Sequence, residues 1–417
     1  MSRFRFQRTT IQVEEAQRAI LEHIRLQRTE WVDLEDSFGR RLAAPVAADH
    51  PVPHFRRSGV DGYAVRCADT AAASPERPAV LEVVECVTSG TLPLRRVGPG
   101  QAARIMTGAV VPEGADAVVM LEMTAPAERE GAVCIRRRMA DGDNITAIGQ
   151  ETPCGDILLM PGRIIEAGEA AILAAFGYAR VPVYCKPRVA ICSTGSELLA
   201  VGSPLEPGKI RNSNGYMLAA QVRAAGGEPV IMPALPDEPE LVEKELLALM
   251  DRFDCVVTSG GVSVGDKDVM ASVFERWEGR LLFNKVAMRP GSPTSAGVWQ
   301  GKLLFALSGN PGACFVGFEL FARPFLRGLL GHPSPLPKEA KASLVADYSK
   351  GSAYPRYVRG KLETTDDGKL QAKPAGADKS SIMVSIKDAE CLILIPAGGR
   401  GAAAGQLVCV LLLQETK

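Results

Sequence analysis

Between positions 13 and 27 the apolar side chains Val13, Ala16, Ala19, Ile20 and Ile24 recur every three to four residues. That spacing puts them on one face of an amphipathic helix. The texture changes at Pro45. From there to Pro182 short apolar runs at 80–87, 117–121, 132–135 and 157–159 are cut by Gly and Pro at close intervals. Such a pattern predicts a β-rich region of short strands and tight turns, followed by a brief helix over 169–176.

A third pattern begins after Lys186-Pro187. Apolar runs at 189–192, 230–233, 255–258, 281–286 and 303–307 alternate with helical stretches at 216–225, 239–252, 269–277 and 312–330. Strand and helix in alternation predict a mostly parallel sheet covered on both faces. Gly226-Gly227 stops the first of these helices, and Pro311 suits the first turn of the last. Pro324 is expected to kink or break it. The run His332-Pro-Ser-Pro-Leu-Pro-Lys338 reads as a linker. Runs at 342–347, 356–363, 391–395 and 407–413 then predict a small β domain. The fold class is therefore multidomain α/β plus β: a β-rich N-terminal region over 1–182 with roughly 45–150 inserted, a central α/β domain over 183–331, and a C-terminal β domain over 337–417.

Composition narrows the function. With 417 residues the chain exceeds one compact core, and its 48 basic residues balance 48 acidic ones. A nucleic-acid binder would carry a basic excess. No run approaches the roughly 18 apolar residues of a membrane span, and MSRFRFQRTT lacks the apolar core of a signal peptide. Ten cysteines form no C-x-x-C pair and only four histidines are present, which argues against a structural zinc site. Isolated cysteines without an export signal are expected to be reduced core residues of a cytoplasmic protein.

The chemistry lies in loops that follow predicted strands. These are Ser193-Thr194-Gly195-Ser-Glu197-Leu198, Pro236-Asp237, Ser259-Gly260-Gly261-Val-Ser263-Val-Gly-Asp266-Lys-Asp268, and Ser308-Gly309-Asn310-Pro311-Gly312. In an open α/β sheet all four fall along the edge where ligands bind. Glycines allow close backbone approach to a phosphate, and the free N–H groups of a helix start favour an anion. Gly-rich turns are also ordinary turns, and carboxylates also cap helices. The coincidence of Glu197, Asp237, Asp266 and Asp268 beside a phosphate site points to an intervening cation, and oxygen donors suit magnesium. Lys285 and Arg289 follow on the next strand and its loop and suit an oxoanion. Segments 57–64 and 104–109 read as loops by composition. No Ser-His-Asp or Cys-His arrangement is evident. The residues themselves thus describe a magnesium-dependent enzyme acting on a phosphorylated small molecule.

Ser193–Leu198, Ser259–Gly265 and Gly309-Asn310-Pro311 resemble the molybdenum-cofactor-biosynthesis fold. Asp61-Gly-Tyr-Ala64, Thr107-Gly108 and Gly114-Ala-Asp-Ala-Val118 resemble the N-terminal motifs of the MoeA family, also found as the E-domain of gephyrin. The resemblance runs nearly the whole chain. It implies a homodimeric transferase that inserts molybdate into adenylylated molybdopterin with release of AMP, promoted by Mg2+. By the same resemblance Glu197, Asp237 and Asp268 hold the cation and phosphates, and Asp61 and Thr107 come from the partner subunit. Lys285 with Arg289 binds anions, and Arg359 with Ser380 serves the oxoanion. It also implies transient contact with the molybdopterin adenylyltransferase.

Three positions depart from the family pattern. Arg289 stands where lysine is usual, Ser292 removes a further positive charge from the cleft, and Ser308 replaces a proline. Two other readings compete. One is the adenylyltransferase itself, which resembles a stand-alone α/β domain; the other is a scaffold, which would have no use for carboxylates crowded at an anion site.

Overall fold

The computed structural model describes residues 8–236, 238–262 and 269–413. They form two compact units, one of residues 1–44, 161–166 and 180–417 and a second of residues 45–160 and 167–179.

In the first unit, helix α1 (Val13–Leu21) opens on a capping box. The Gln12 backbone N–H donates to the Glu15 carboxylate at 2.9 Å, satisfying an otherwise orphan donor. Its apolar face buries Val13, Ala16 and Ile20. The helix stops at Leu21, short of the predicted 27. Beyond it Gln27 N donates to Leu329 O at 2.9 Å, and Ile24 seats against Gly328, where a Cβ would lie 2.1 Å from Ile24 Cδ1. Packing of the following segment wins over the continuing period.

The central sheet contains β1 (Arg188–Ser193), β2 (Glu228–Ile231), β3 (Cys255–Ser259), β4 (Arg280–Phe283), β5 (Ser295–Trp299) and β6 (Lys302–Leu307), in the order β2-β1-β3-β6-β5-β4. Strands β2, β1, β3 and β6 are parallel, and β5 and β4 add an antiparallel edge. Val189, Ile191, Val257 and Phe305 face one core, and Ala190, Cys192, Val256 and Leu304 the other. Burial on both faces explains the unbroken apolar runs. Helix α2 (Ser213–Ala224) covers the first face. Helices α3 (Pro239–Arg252) and α4 (Val269–Arg276) cover the second. Strand β5 escapes the sequence pattern because its residues are small for packing reasons. A Cβ at Gly297 would lie 2.9 Å from Phe274 Cε1.

The predicted helix over 312–330 is α5 (Pro311–Gly317), a π-helical turn (Phe318–Ala322) and α6 (Arg323–Leu329). The wide turn directly precedes Pro324 and accommodates its missing N–H. Within it, buried Glu319 accepts from Gln221 Nε2 and Arg323 Nη1, both at 2.7 Å.

The C-terminal part of this unit is a closed five-stranded barrel of β7 (Glu339–Leu344), β8 (Arg356–Thr364), β9 (Leu370–Pro374), β10 (Cys391–Ile395) and β11 (Leu407–Leu412). Its core includes Leu344, Val358, Ala372, Ile393 and Val410. Strand β9, Leu-Gln-Ala-Lys-Pro, buries only Ala372, too little to register as a run.

The second unit holds a six-stranded mixed sheet in the order Ala117–Met120, Gly62–Val65, Gln101–Ile105, Ala79–Val87, Ala132–Ile135, Thr124–Pro126. The sequence reading of 57–64 and 104–109 as loops is corrected here: Gly62–Val65 and Gln101–Ile105 are interior strands. Tight spacing demands their small residues, since a Cβ at Gly62 would lie 1.8 Å from Val119 O. Among the described residues no helix is long and apolar enough to cross a membrane.

Candidate functional site

The parallel strands β1, β3 and β6 end side by side and deliver three loops to the rim of one cavity of about 900 Å³. Thr194 N donates to Ser259 O at 3.0 Å, and Gly260 N donates to Leu307 O at 3.1 Å. The loops lie so close that a Cβ on Gly260, whose φ is +98°, would sit 2.6 Å from Thr194 Oγ1. Only glycine tolerates both the conformation and the contact. Ser193, Thr194, Gly195, Ser259, Gly260, Gly261, Gly309, Asn310 and Pro311 all line the cavity.

The first turn of α2 fastens these loops together. Asn214 Nδ2 donates to Ser259 Oγ at 2.7 Å and to Gly309 O at 2.8 Å. Asn212 caps the helix, its Oδ1 accepting Gly215 N at 3.0 Å and Ser193 Oγ at 3.1 Å. Neither asparagine was singled out from sequence. The only signal was Arg-Asn-Ser-Asn just ahead of a predicted helix, a capping composition. Thr194 Oγ1 and Asn214 Oδ1 are buried without a hydrogen-bond partner among the described residues, so this part of the wall retains unused polar capacity.

Glu197 presents an exposed side chain on this wall. No helix begins there. Instead its carbonyl accepts Ile210 N at 2.9 Å, beside the Leu198–Leu199 and Ile210–Arg211 strand pair, so helix capping does not account for it. Asp237, Asp266, Asp268 and Ser263 lie outside the described residues. Arg289 and Ser380 are on the wall. Lys285 is half-buried beside the bond from Ile11 N to its carbonyl and does not line the cavity.

Two positions gain a structural account. Ser292 is buried, with Oγ donating to Val286 O at 2.7 Å. Its hydroxyl therefore turns away from the cleft and supplies nothing in place of the positive charge that a lysine would bring. The start of α5 is also less open than a free helix terminus. Gly312 N donates to Ser380 O at 2.8 Å and Ala313 N to Asn310 O at 3.0 Å, because the barrel segment carrying Ser380 lies across it.

Arg359 explains that crossing. It is 2% exposed, with Nε donating to Ser385 Oγ at 3.1 Å and Nη2 to Lys379 O at 3.2 Å. Its Nη1 lies 3.5 Å from Gly312 O, and a Cβ on Gly312 would meet that nitrogen at 2.5 Å. Burial pushes its pKa down, against the opposing charges of Asp378 and Tyr348. Arg356 and Asp378, by contrast, do line the cavity; nothing in their local sequence distinguishes them.

In the second unit Asp61 and Thr107 meet directly. Thr107 N and Oγ1 donate to Asp61 Oδ1 at 2.6 and 2.9 Å. The backbone donor, then the hydroxyl, hold this exposed carboxyl below its ordinary pKa.

Among the described residues no three His, Cys, Asp or Glu side chains form a metal cluster. The cavity lining does offer carboxylate, hydroxyl and amide oxygens without imidazole or thiolate, a donor chemistry that fits a hard cation.

Fold and cavity together define an α/β protein with a polar cleft at the carboxyl ends of its parallel strands, the place where open α/β sheets bind ligands. Comparisons sharpen this. Residues 11–177 match the MoeA N-terminal region (domains I and II), 190–328 a probable molybdopterin binding domain, and 341–413 the MoeA C-terminal region (domain IV). A molybdopterin molybdenumtransferase of Bacillus subtilis is 47% identical over 98% of this chain and 95% of its own. One of Staphylococcus aureus is 40% identical over 98% and 97%. A crystal structure of a MoeA molybdopterin biosynthesis protein from Pyrococcus horikoshii superposes with TM-score 0.84 at 32% identity, covering 98% of this chain and all of that one. The chain belongs to the MoeA family.

Proposed function

We propose that the strand-end cavity is where adenylylated molybdopterin and molybdate react. The chain is a molybdopterin molybdenumtransferase. The observation that carries the assignment of the site is the convergence of three Gly-rich loops, Glu197, Arg289 and Ser380 on one cavity.

In this reading the backbone of Gly260, Gly261 and Gly309 lets phosphates approach closely, and Arg289 supplies charge. Glu197, with Asp237 and Asp268, would hold Mg2+, which when bound neutralises phosphate charge at the bond to AMP. Ser193, Thr194, Ser259, Asn310 and Pro311 shape the pocket, the family resemblance assigns Ser263 to substrate binding with them, and Lys285 adds positive field nearby. Arg359 acts by bracing the segment that carries Ser380 against α5. Asp61, kept ionised by Thr107, serves as a fixed carboxylate. As the family resemblance implies, the protein works as a homodimer, and each copy lends Asp61 and Thr107 to its partner's cavity. Transient contact with the adenylyltransferase that supplies the substrate, in the cytoplasm, completes the reading.

The test supplies adenylylated molybdopterin, Mg2+ and molybdate to the purified chain and follows AMP. Molybdate-dependent AMP release is expected. Consumption of ATP with free pterin, or no turnover of either substrate, would overturn the reading.

A further inference from the structure

The loop after β4 and the first residue of β8 are joined by backbone. Arg289 N donates to Pro355 O at 2.9 Å, and Tyr357 N donates to Arg289 O at 2.8 Å, so Arg289 and Arg356 form a parallel bridge. Bridge partners stand about 5 Å apart with side chains on the same face, and both side chains line the cavity. Two cations so placed repel each other unless an anion lies between or beside them.

Among the described residues, one carboxylate bonds to this pair. Arg356 Nη2 donates to Asp378 Oδ2 at 2.9 Å, and its Nε donates to Tyr348 Oη at 3.0 Å. Tyr348 Oη in turn donates to the same Asp378 oxygen. These bonds fix the guanidinium plane and leave its Nη1 without a partner among the described residues. The Arg289 guanidinium makes no hydrogen bond among them either. The carboxylate bonded to this pair thus answers two guanidiniums, and Glu197 stands on the same wall without a bond to either. Arg359, three residues along the strand, has donors committed to Ser385, Lys379 and Gly312.

We propose that Arg356, side by side with Arg289 and aimed by Asp378 and Tyr348, is a direct ligand for a tetrahedral oxoanion in this cavity. The inference rests on the reading of the cavity as the transferase site, and it deepens that reading by naming the group that touches the anion. Geometry favours arginine for this task, because its planar fork presents paired N–H groups to two oxygens at once. The oxoanion is either molybdate or a phosphate of the pterin substrate, and kinetics separates the two.

In the full-length protein, R356Q is expected to raise the half-saturating concentration of one of these substrates roughly ten- to hundredfold, the size of a lost charge-assisted contact. A shift in molybdate dependence assigns the site to molybdate; a shift for adenylylated molybdopterin assigns it to a phosphate. R356K keeps Asp378 paired but loses the fork, so it should show a smaller shift in the same substrate. It also stands in should R356Q fail to fold. Unchanged dependence on both substrates in the folded variants overturns the inference and leaves the transferase reading standing. Absence of AMP release by the wild-type chain removes that reading instead. Calorimetric titration with molybdate alone and with inorganic phosphate then decides the inference. Weaker binding of either by R356Q upholds it. Equal binding, or none by the wild type, overturns it.

Discussion

Thr107 gives both its backbone N–H and its hydroxyl to a single oxygen of Asp61, at 2.6 and 2.9 Å. Two donors on one exposed oxygen keep the carboxylate ionised and oriented while its other oxygen remains open. D61N keeps an acceptor for Thr107 but removes the charge, and E197Q does the same on the strand-end cavity. Each is expected to abolish AMP release with folding and dimerisation intact. If the two residues serve sites shared between copies, an equimolar mixture of the inactive variants should regain about a quarter of wild-type activity through hybrid dimers. Chromatography alongside the assay checks the dimer. Unfolding of either variant would show a structural role instead.

Asn214 ties Ser259 to Gly309 across 2.7 and 2.8 Å. N214A leaves both acceptors without their donor and should lower unfolding free energy by about 1–3 kcal/mol, measured by urea denaturation. The same change loosens two walls of the cavity, so the Michaelis constant for the pterin substrate should rise as well. A stability loss with unaltered kinetics would separate the tie from the site.

Burial alone would raise the pKa of Asp378, but hydrogen bonds from Tyr348 and Arg356 outweigh it and leave the group depressed. A depressed carboxyl stabilises the fold above its unfolded pKa, and that contribution is lost as pH falls through the folded value. The acid limb of the stability curve, below about pH 4, should therefore flatten in D378N relative to wild type. Thermal unfolding across pH 2–7 checks the sign; an identical acid limb would show the pair to be uncoupled from folding.

The ten cysteines are free rather than bridged, and they are not all core residues as the sequence suggested. Cys192, Cys255, Cys314 and Cys391 are buried, whereas Cys86 and Cys154 are exposed. Burial raises the thiols of Cys192 and Cys314 to about 12, which suppresses the reactive thiolate. A disulfide reagent at pH 8 should thus label Cys86 and Cys154 rapidly and the buried four only on unfolding. Mass mapping after a short pulse tests this.

Much of the central sheet was legible because strands buried on both faces must be apolar throughout, as in Arg188–Ser193 and Lys302–Leu307. The loops that follow β1, β3 and β6 at its edge were placed by the same reading. Strands that are narrow rather than greasy were missed. Gly62–Val65 and Ser295–Trp299 use Gly and Ala where neighbours leave no room, a demand set by residues distant in sequence. The same distance hid part of the site. Asn214 acts on a carbonyl 95 positions away. Arg356 gains meaning only from its bridge to Arg289 and its ion pair with Asp378.

The barrel segment that crosses the start of α5, bonded through Ser380 O and clamped by Arg359, makes the strand-end cavity a joint product of the sheet and the barrel of this unit. A polypeptide trimmed at the proline-rich connector would retain every strand-end loop yet stand open along one flank. Grafting the loops onto another sheet would transfer their backbone geometry without the enclosure. The barrel is thus one wall of the cavity through Arg356, Asp378 and Ser380, and if the proposed site is the right one, changes made there should register in the activity of residues far upstream.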